Sequence, residues 1–278
     1  MMTASASVRS AAVAGSFYPR QPERLRAQIE QMLEWAAIDL GNKERSEQRP
    51  PKGFIIPHAG YPYSGPVAAY AYSKLQAAVS AGASIERVVL MGPAHRVYVP
   101  GIATAGVDLF ETPLGAIEID VHWLRRAHDL EVSLRAHAPE HCLEVQLPFL
   151  QCILPKSSWR LVPLLVSDAA PEVVGSTLEQ LWGGPETCII ISSDLSHYQP
   201  YEEACSLDQQ TARRVVELDD TLVGENACGC AAINGLTWLA RRKRLRIELL
   251  ALRNSGDTAG PRDGVVGYGA FAIHEENP

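Results

Sequence analysis

His58, His95 and His197 are three of eight histidines in a chain of 278 residues, and each falls just past an apolar run. His58 directly follows residues 54–57 in "GFIIPHAGYPYSG", His95 comes two residues after "VVLMGP", and His197 follows "CIIISS" in "SSDLSHY", three residues beyond Asp194. An imidazole changes charge near neutral pH and is also a common transition-metal ligand, so several at one point serve proton transfer, metal binding or both. Each taken alone reads as a loop histidine bonded to a neighbour. Their shared position changes that reading, because glycine or proline crowds two of the three loops and lets backbone and side chain approach a common point. The spacing matches no short zinc pattern such as HExxH or paired CxxC.

Other segments carry chemistry too. "APEHCLEVQLPFL" (138–150) puts proline and glutamate at a helix start, with His141 and Glu144 three apart on one face. The pair is either a structural helical pair or an imidazole and a supporting carboxylate aimed at a site. "GENACGCAAINGLTWLARR" (224–242) places Cys228 near a helix start. Backbone N–H groups there lower a thiol's pKa and favour ligation; the alternative is a small buried cysteine. After His58, Gly60 and Gly65 bracket Tyr61, Pro62, Tyr63 and Ser64. The glycines permit a sharp turn that holds His58 at a sheet edge, and Ser64 is placed to cap the helix that follows. At least one of Tyr61 and Tyr63 is expected to wall a pocket for a small planar or aromatic ligand, with packing under the loop as the alternative.

The elements that position these residues alternate along the chain. Nearly continuous apolar runs at 53–57, 87–93, 159–167 and 187–193 predict strands covered on both faces, and 246–256 and 264–273 close the chain as strands. Residues 9–20 read as an entry strand and turn. Helices are predicted at 21–36, 64–82, 137–153, 170–183, 203–218 and 229–244, with a solvated loop at 39–53. The pattern is an α/β fold, one domain over 1–278, with a mainly parallel (mixed) central sheet flanked by helices. Parallel strands bring the three histidine loops to one rim, the carboxyl edge where such sheets bind ligands.

Composition narrows the function classes. Apolar residues make up 46% of the chain and charged residues 21%, as in an ordinary globular protein. The net charge of −7 argues against nucleic acid or an acidic membrane face as partner. No apolar stretch approaches the length of a membrane span, and the first residues lack the features of a signal peptide. Six cysteines without an export signal read as reduced thiols, so a cytoplasmic location is expected.

The motifs "AGSFYP", "PHAGYPYSGPVAAYAY", "MGPAH", "EHCLEVQLPFLQ", "SSDLSHY", "ACG" and "NSGDTAGPRDGVVGYGAFA" run in order from residue 11 to 273. Together they resemble the Memo family, whose microbial members are also called AmmeMemoRadiSam system protein B. The resemblance implies a fold like that of the class III extradiol dioxygenases. It implies His58, His95 and Cys228 as ligands of one metal ion per chain, with Asp194 and His197 lining the same pocket. In the related dioxygenases a glutamate takes the third ligand position, and the histidine matching His197 serves as acid/base. The chain departs from the family pattern at Cys142, where serine is usual, and at Cys230. A residue two positions along a helix points away from Cys228, so Cys228 is the favoured sulfur ligand.

Two imidazoles and one thiolate leave positions open for water, oxygen or a chelating substrate, and the set suits iron or copper, with zinc as an alternative. The leading expectation is a metal-dependent oxidoreductase of dioxygenase type acting on an unknown small molecule, with His197 moving a proton and Asp194 orienting it. His141 and Glu144 are held as further acid/base candidates. Two other classes compete: a zinc hydrolase, and a non-catalytic metal- or peptide-binding protein. The resemblance also implies AMMECR1-type and radical-SAM proteins as partners.

Overall fold

The four apolar runs become the strands Gly53–Ile56, Arg87–Pro93, Arg160–Val166 and Thr187–Ser192 of a nine-stranded sheet. They are seen in a computed structural model that describes residues 6–41 and 50–276. All four are interior and parallel, in the spatial order 53–56, 187–192, 87–93, 160–166. Their register sets Ile55, Ile191, Met91 and Leu164 in one row across the sheet.

Alternate side chains enter two separate cores. Phe54, Ile56, Val88 and Leu90 pack on one face with the helices Pro22–Gly41 and Tyr61–Ser80. Ile55, Val89, Met91, Ile189 and Ile191 pack on the other with Pro171–Gln180, Tyr201–Val216 and Cys230–Lys243. Because both faces are covered, the runs show no polar alternation. Each fully buried large side chain adds about 1.5–3 kcal/mol of burial, which fixes the register from which the loops depart.

The sheet is mixed, and its parallel character is narrower than the sequence implies. Val265–Glu275 runs antiparallel to Gly53–Ile56 and pairs antiparallel with Leu245–Asn254 and His197–Gln199. On the far side Ile102–Thr104 pairs antiparallel with Arg160–Val166, and the short strand Glu131–Val132 lies parallel beside it. A separate small sheet joins Val8–Arg9, Leu109–Thr112 and Gly115–Glu118, so the entry strand pairs far from the main sheet. Among the described residues no helix is long and apolar enough to cross a membrane.

Three segments differ from the sequence reading. The first helix continues to Gly41, so residues 39–41 of the expected loop are helical; residues 42–49 lie outside the described residues. The helix after His58 begins at Tyr61 directly behind Gly60, with Pro62 in its first turn. Proline's fixed φ and missing N–H suit a helix start, so the expected turn is already helix. Ser64 does not cap it; its hydroxyl donates to the Ala59 carbonyl at 2.8 Å. The helix expected at 137–153 is broken into Leu134–His137, a 3-10 turn Glu144–Gln146, and Leu147–Ile153. The break has a local cause. The Glu140 carboxylate accepts the N–H groups of His141 (2.8 Å) and Cys142 (3.1 Å), which holds the backbone in a loop.

Candidate metal centre

Strand ends 53–56 and 187–192 stay laced past the ladder: Ser193 N–H donates to the Ile56 carbonyl at 2.9 Å, and His58 N–H donates to Asp194 Oδ1 at 2.6 Å. This places the His58 imidazole, almost fully buried, over the carboxyl edge of the sheet. His95 leaves the neighbouring strand Arg87–Pro93, and its N–H donates to Glu140 Oε2 at 2.7 Å. Cys228 comes from the loop ahead of the helix Cys230–Lys243 and docks on the end of the strand Thr187–Ser192. Its N–H donates to the Asp194 carbonyl at 3.3 Å, and Gly229 N–H donates to Ser193 Oγ at 2.9 Å. A Cβ at Gly229 would stand 2.7 Å from Ser193 Cβ, so only glycine lets this loop approach so closely.

The result is convergence. One ligand-type atom each from His58, His95 and Cys228 lies within 4.8 Å of the other two. Cys228 Sγ is 3.3 Å from His58 Nε2, and the two imidazole rings stand edge to face with centroids 5.2 Å apart. Two nitrogens and a sulfur in this cluster form a donor set that a transition metal fits.

Burial keeps two of the donors, His58 and Cys228, neutral. Burial drives the His58 pKa well below the ordinary histidine value, so its ring is uncharged at neutral pH. Burial, with the Asp194 charge nearby, pushes the Cys228 thiol well above its ordinary value, although N–H groups from Asp194 and Gly229 pull the other way. The helix start that the sequence offered as an acidifying influence is thus outweighed by desolvation. Burial also pushes Asp194 up to about 6, opposed by the His58 N–H and the His197 charge.

His197 opens the short strand His197–Gln199, half-buried, and its charge acts on both His58 and Asp194. His141 stacks on His95 with centroids 4.8 Å apart and meets the His58 ring edge to face at 5.4 Å. The structure therefore gathers His58, His95, Cys228, Asp194 and His141 at one rim, with the His197 charge reaching His58 and Asp194.

Glu144 and Tyr61 lie elsewhere. The break in the helix turns Glu144 away, and its fully buried carboxylate pairs with Arg9 while accepting from Tyr18 OH and the N–H groups of Ala12 and Val13. It pins the entry segment to the domain. Tyr61 is buried against Tyr18 and Phe149, and its hydroxyl donates to the Val145 carbonyl at 2.8 Å, which is the packing alternative. Tyr63 is 41% exposed beside Gly60 and remains the tyrosine available to a pocket. Replacing Glu144 by Gln leaves the buried Arg9 guanidinium without its counter-charge and is expected to cost about 3–5 kcal/mol. Urea unfolding measures that cost, and metal bound per folded chain should stay within about twofold. Lost metal at unchanged stability would return Glu144 to the site.

Three contributors escaped the sequence reading. Glu140 takes the carboxylate role assigned to Glu144: its Oε1 lies 3.0 Å from Nδ1 of both His95 and His141. Although burial alone would raise it, the His141 and His95 imidazoles beside it hold the Glu140 carboxyl well below the ordinary range. Its place one residue before His141 was a signal, masked by the helical reading. Phe17, from "AGSFYP", packs its ring 4.8 Å from His141. Tyr268 is buried near Asp194, Tyr63 and Tyr198, and burial with the Asp194 charge raises its hydroxyl pKa. No spacing rule pointed to it.

A family model described as Memo-like protein matches residues 9–272. Curated relatives include a MEMO1 family protein of Sulfolobus acidocaldarius, 34% identical over 94% of this chain and 97% of its own length. Another, from Ignicoccus hospitalis, is 35% identical over 95% and 97%, and one from Methanopyrus kandleri is 34% identical over 95% and 98%. With the match running from the entry segment to the last strand, the chain belongs to the Memo family.

Proposed function

We propose that His58, His95 and Cys228 hold one metal ion, iron or copper by preference, and that the protein is a metal-dependent oxidoreductase for a small chelating substrate. The observation that carries this reading is the meeting of three donor atoms, from segments 37 to 170 residues apart in sequence, within 4.8 Å of one another. Such an ion supplies a Lewis-acidic, redox-active position beside the pocket. The chain's own groups do the rest. Asp194 accepts the His58 N–H and feels the His197 charge, and His197 is the group that would take a proton from substrate or return it. Glu140 orients His95 and His141, and Phe17 and Tyr63 offer apolar surface to a planar ligand.

A second reading, binding without turnover, is favoured by the sulfur donor. Where the related dioxygenases use a carboxylate, this chain offers a thiolate, which oxidises readily and suits a retained ion or a partner-docking rim better than repeated oxygen chemistry. AMMECR1-type and radical-SAM proteins are the partners that reading would take.

Elemental analysis of anaerobically purified protein, then oxygen uptake with catecholic and other chelating substrates after that metal is restored, separates the readings. Oxygen consumption with at least one substrate is expected. Tight metal retention without uptake across the panel would favour binding alone, and metal-dependent cleavage without oxygen use would favour hydrolysis.

A further inference from the structure

Ser192 ends the central strand Thr187–Ser192 beneath His58, fully buried, and its hydroxyl stands at the meeting point of three hydrogen bonds. A serine hydroxyl has one proton and two lone pairs. The proton goes to the Cys142 carbonyl at 2.7 Å. One lone pair accepts Gln146 Nε2 at 2.8 Å. The orientation of that amide is fixed, because Nε2 also reaches the Pro57 carbonyl at 3.0 Å, a group that only accepts, while Oε1 accepts Tyr72 OH at 2.8 Å. His58 Nδ1, 3.0 Å from Ser192 Oγ, therefore meets a lone pair and must carry its ring's proton. The Nε2 lone pair is left facing Cys228 Sγ at 3.3 Å. At His95 a different group sets the tautomer: Nδ1 lies 3.0 Å from Glu140 Oε1, and a carboxylate accepts only, so Nδ1 carries the proton and Nε2 is the nitrogen left for a metal when the ring is neutral.

We propose that Ser192, oriented by Gln146 and Tyr72, and Glu140 are positioning residues that lock His58 and His95 in the Nδ1–H tautomer, so that both present Nε2 to one ion. The inference deepens the metal-centre reading and rests on it for its purpose. A free imidazole in water exchanges between tautomers; here the surrounding hydrogen bonds hold the form that binds metal, and binding needs no ring flip or proton shift on either histidine.

Long-range proton–nitrogen NMR of metal-free, reduced protein labelled with 15N-histidine tests the lock without any metal or activity. Nδ1 of His58 and His95 should carry the proton, and both Nε2 atoms should give the signature of an unprotonated nitrogen. Ser192→Ala should mix the His58 tautomers and lower Zn2+ affinity about 10- to 100-fold, with Glu140→Gln acting likewise at His95. Thermal unfolding checks that each variant folds, and the wild-type spectrum decides the question if one does not. A protonated Nε2 on His58 in the wild type would overturn the proposal, as would a Ser192→Ala protein with unchanged tautomer and affinity. Correct tautomers in a protein that takes up no Zn2+ would overturn the metal-centre reading alone.

Discussion

Replacing His197 by Gln is expected to lower turnover about 10²- to 10⁴-fold while bound metal stays within about twofold of wild type. The ring stands outside the group of three donors, and its influence reaches the site as a charge felt by Asp194 and His58. Glutamine fills similar space and keeps a hydrogen bond, but it cannot take up and release a proton near neutral pH. Steady-state kinetics on the best substrate of the oxygen-uptake panel, set beside metal content, gives the two numbers. Parallel loss of both would make His197 a fourth ligand, and unchanged turnover would remove it from the chemistry.

Cys228→Ala is expected to reduce metal affinity about 10²- to 10³-fold, which is one ligand's share of the roughly 10–16 kcal/mol of a four-ligand zinc site. The fold should survive, because the side chain is half-buried at the end of a loop and outside both hydrophobic cores. The same residue sets the pH dependence. Its thiol is held protonated by burial, and a metal takes only the thiolate, so binding releases one proton. Proton release on binding means that affinity rises with pH, by about tenfold per unit while the pH stays below the thiol's pKa. His58, already neutral, releases no further proton on binding and adds nothing to that slope near neutral pH. Zn2+ competition titrations at several pH values should show that slope in the wild type, and Cys228→Ala should flatten it. A pH-independent wild-type affinity would exclude Cys228 as the ligand that ionises.

The sequence by itself determined the centre of the sheet and the loops that leave it. The interiors of "GFIIP", "RVVLMGP" and "TCIIISS" are apolar without alternation because both faces of those strands are covered, and a strand fully buried on both sides can be read from a local window. His58 and His95, and Asp194 with His197, depart from ends whose position follows from strand polarity alone. What only the tertiary structure decided are contacts between segments distant along the chain. Helical spacing put His141 and Glu144 on one face, but Glu140 accepts N–H groups from its own loop and from His95, 45 residues away, and the helix breaks there. Glu144 then turns to Arg9, 135 residues earlier, and Tyr61 to the Val145 carbonyl, 84 residues on. The acidity of Cys228 was likewise unreadable locally: a helix start predicts a lowered pKa, and the desolvation that overrides it depends on which strand end the loop docks against. Periodicity reports which face of an element is buried; it holds no information about which distant hydrogen-bond partner a buried polar group will find, and in this site that choice sets each residue's role.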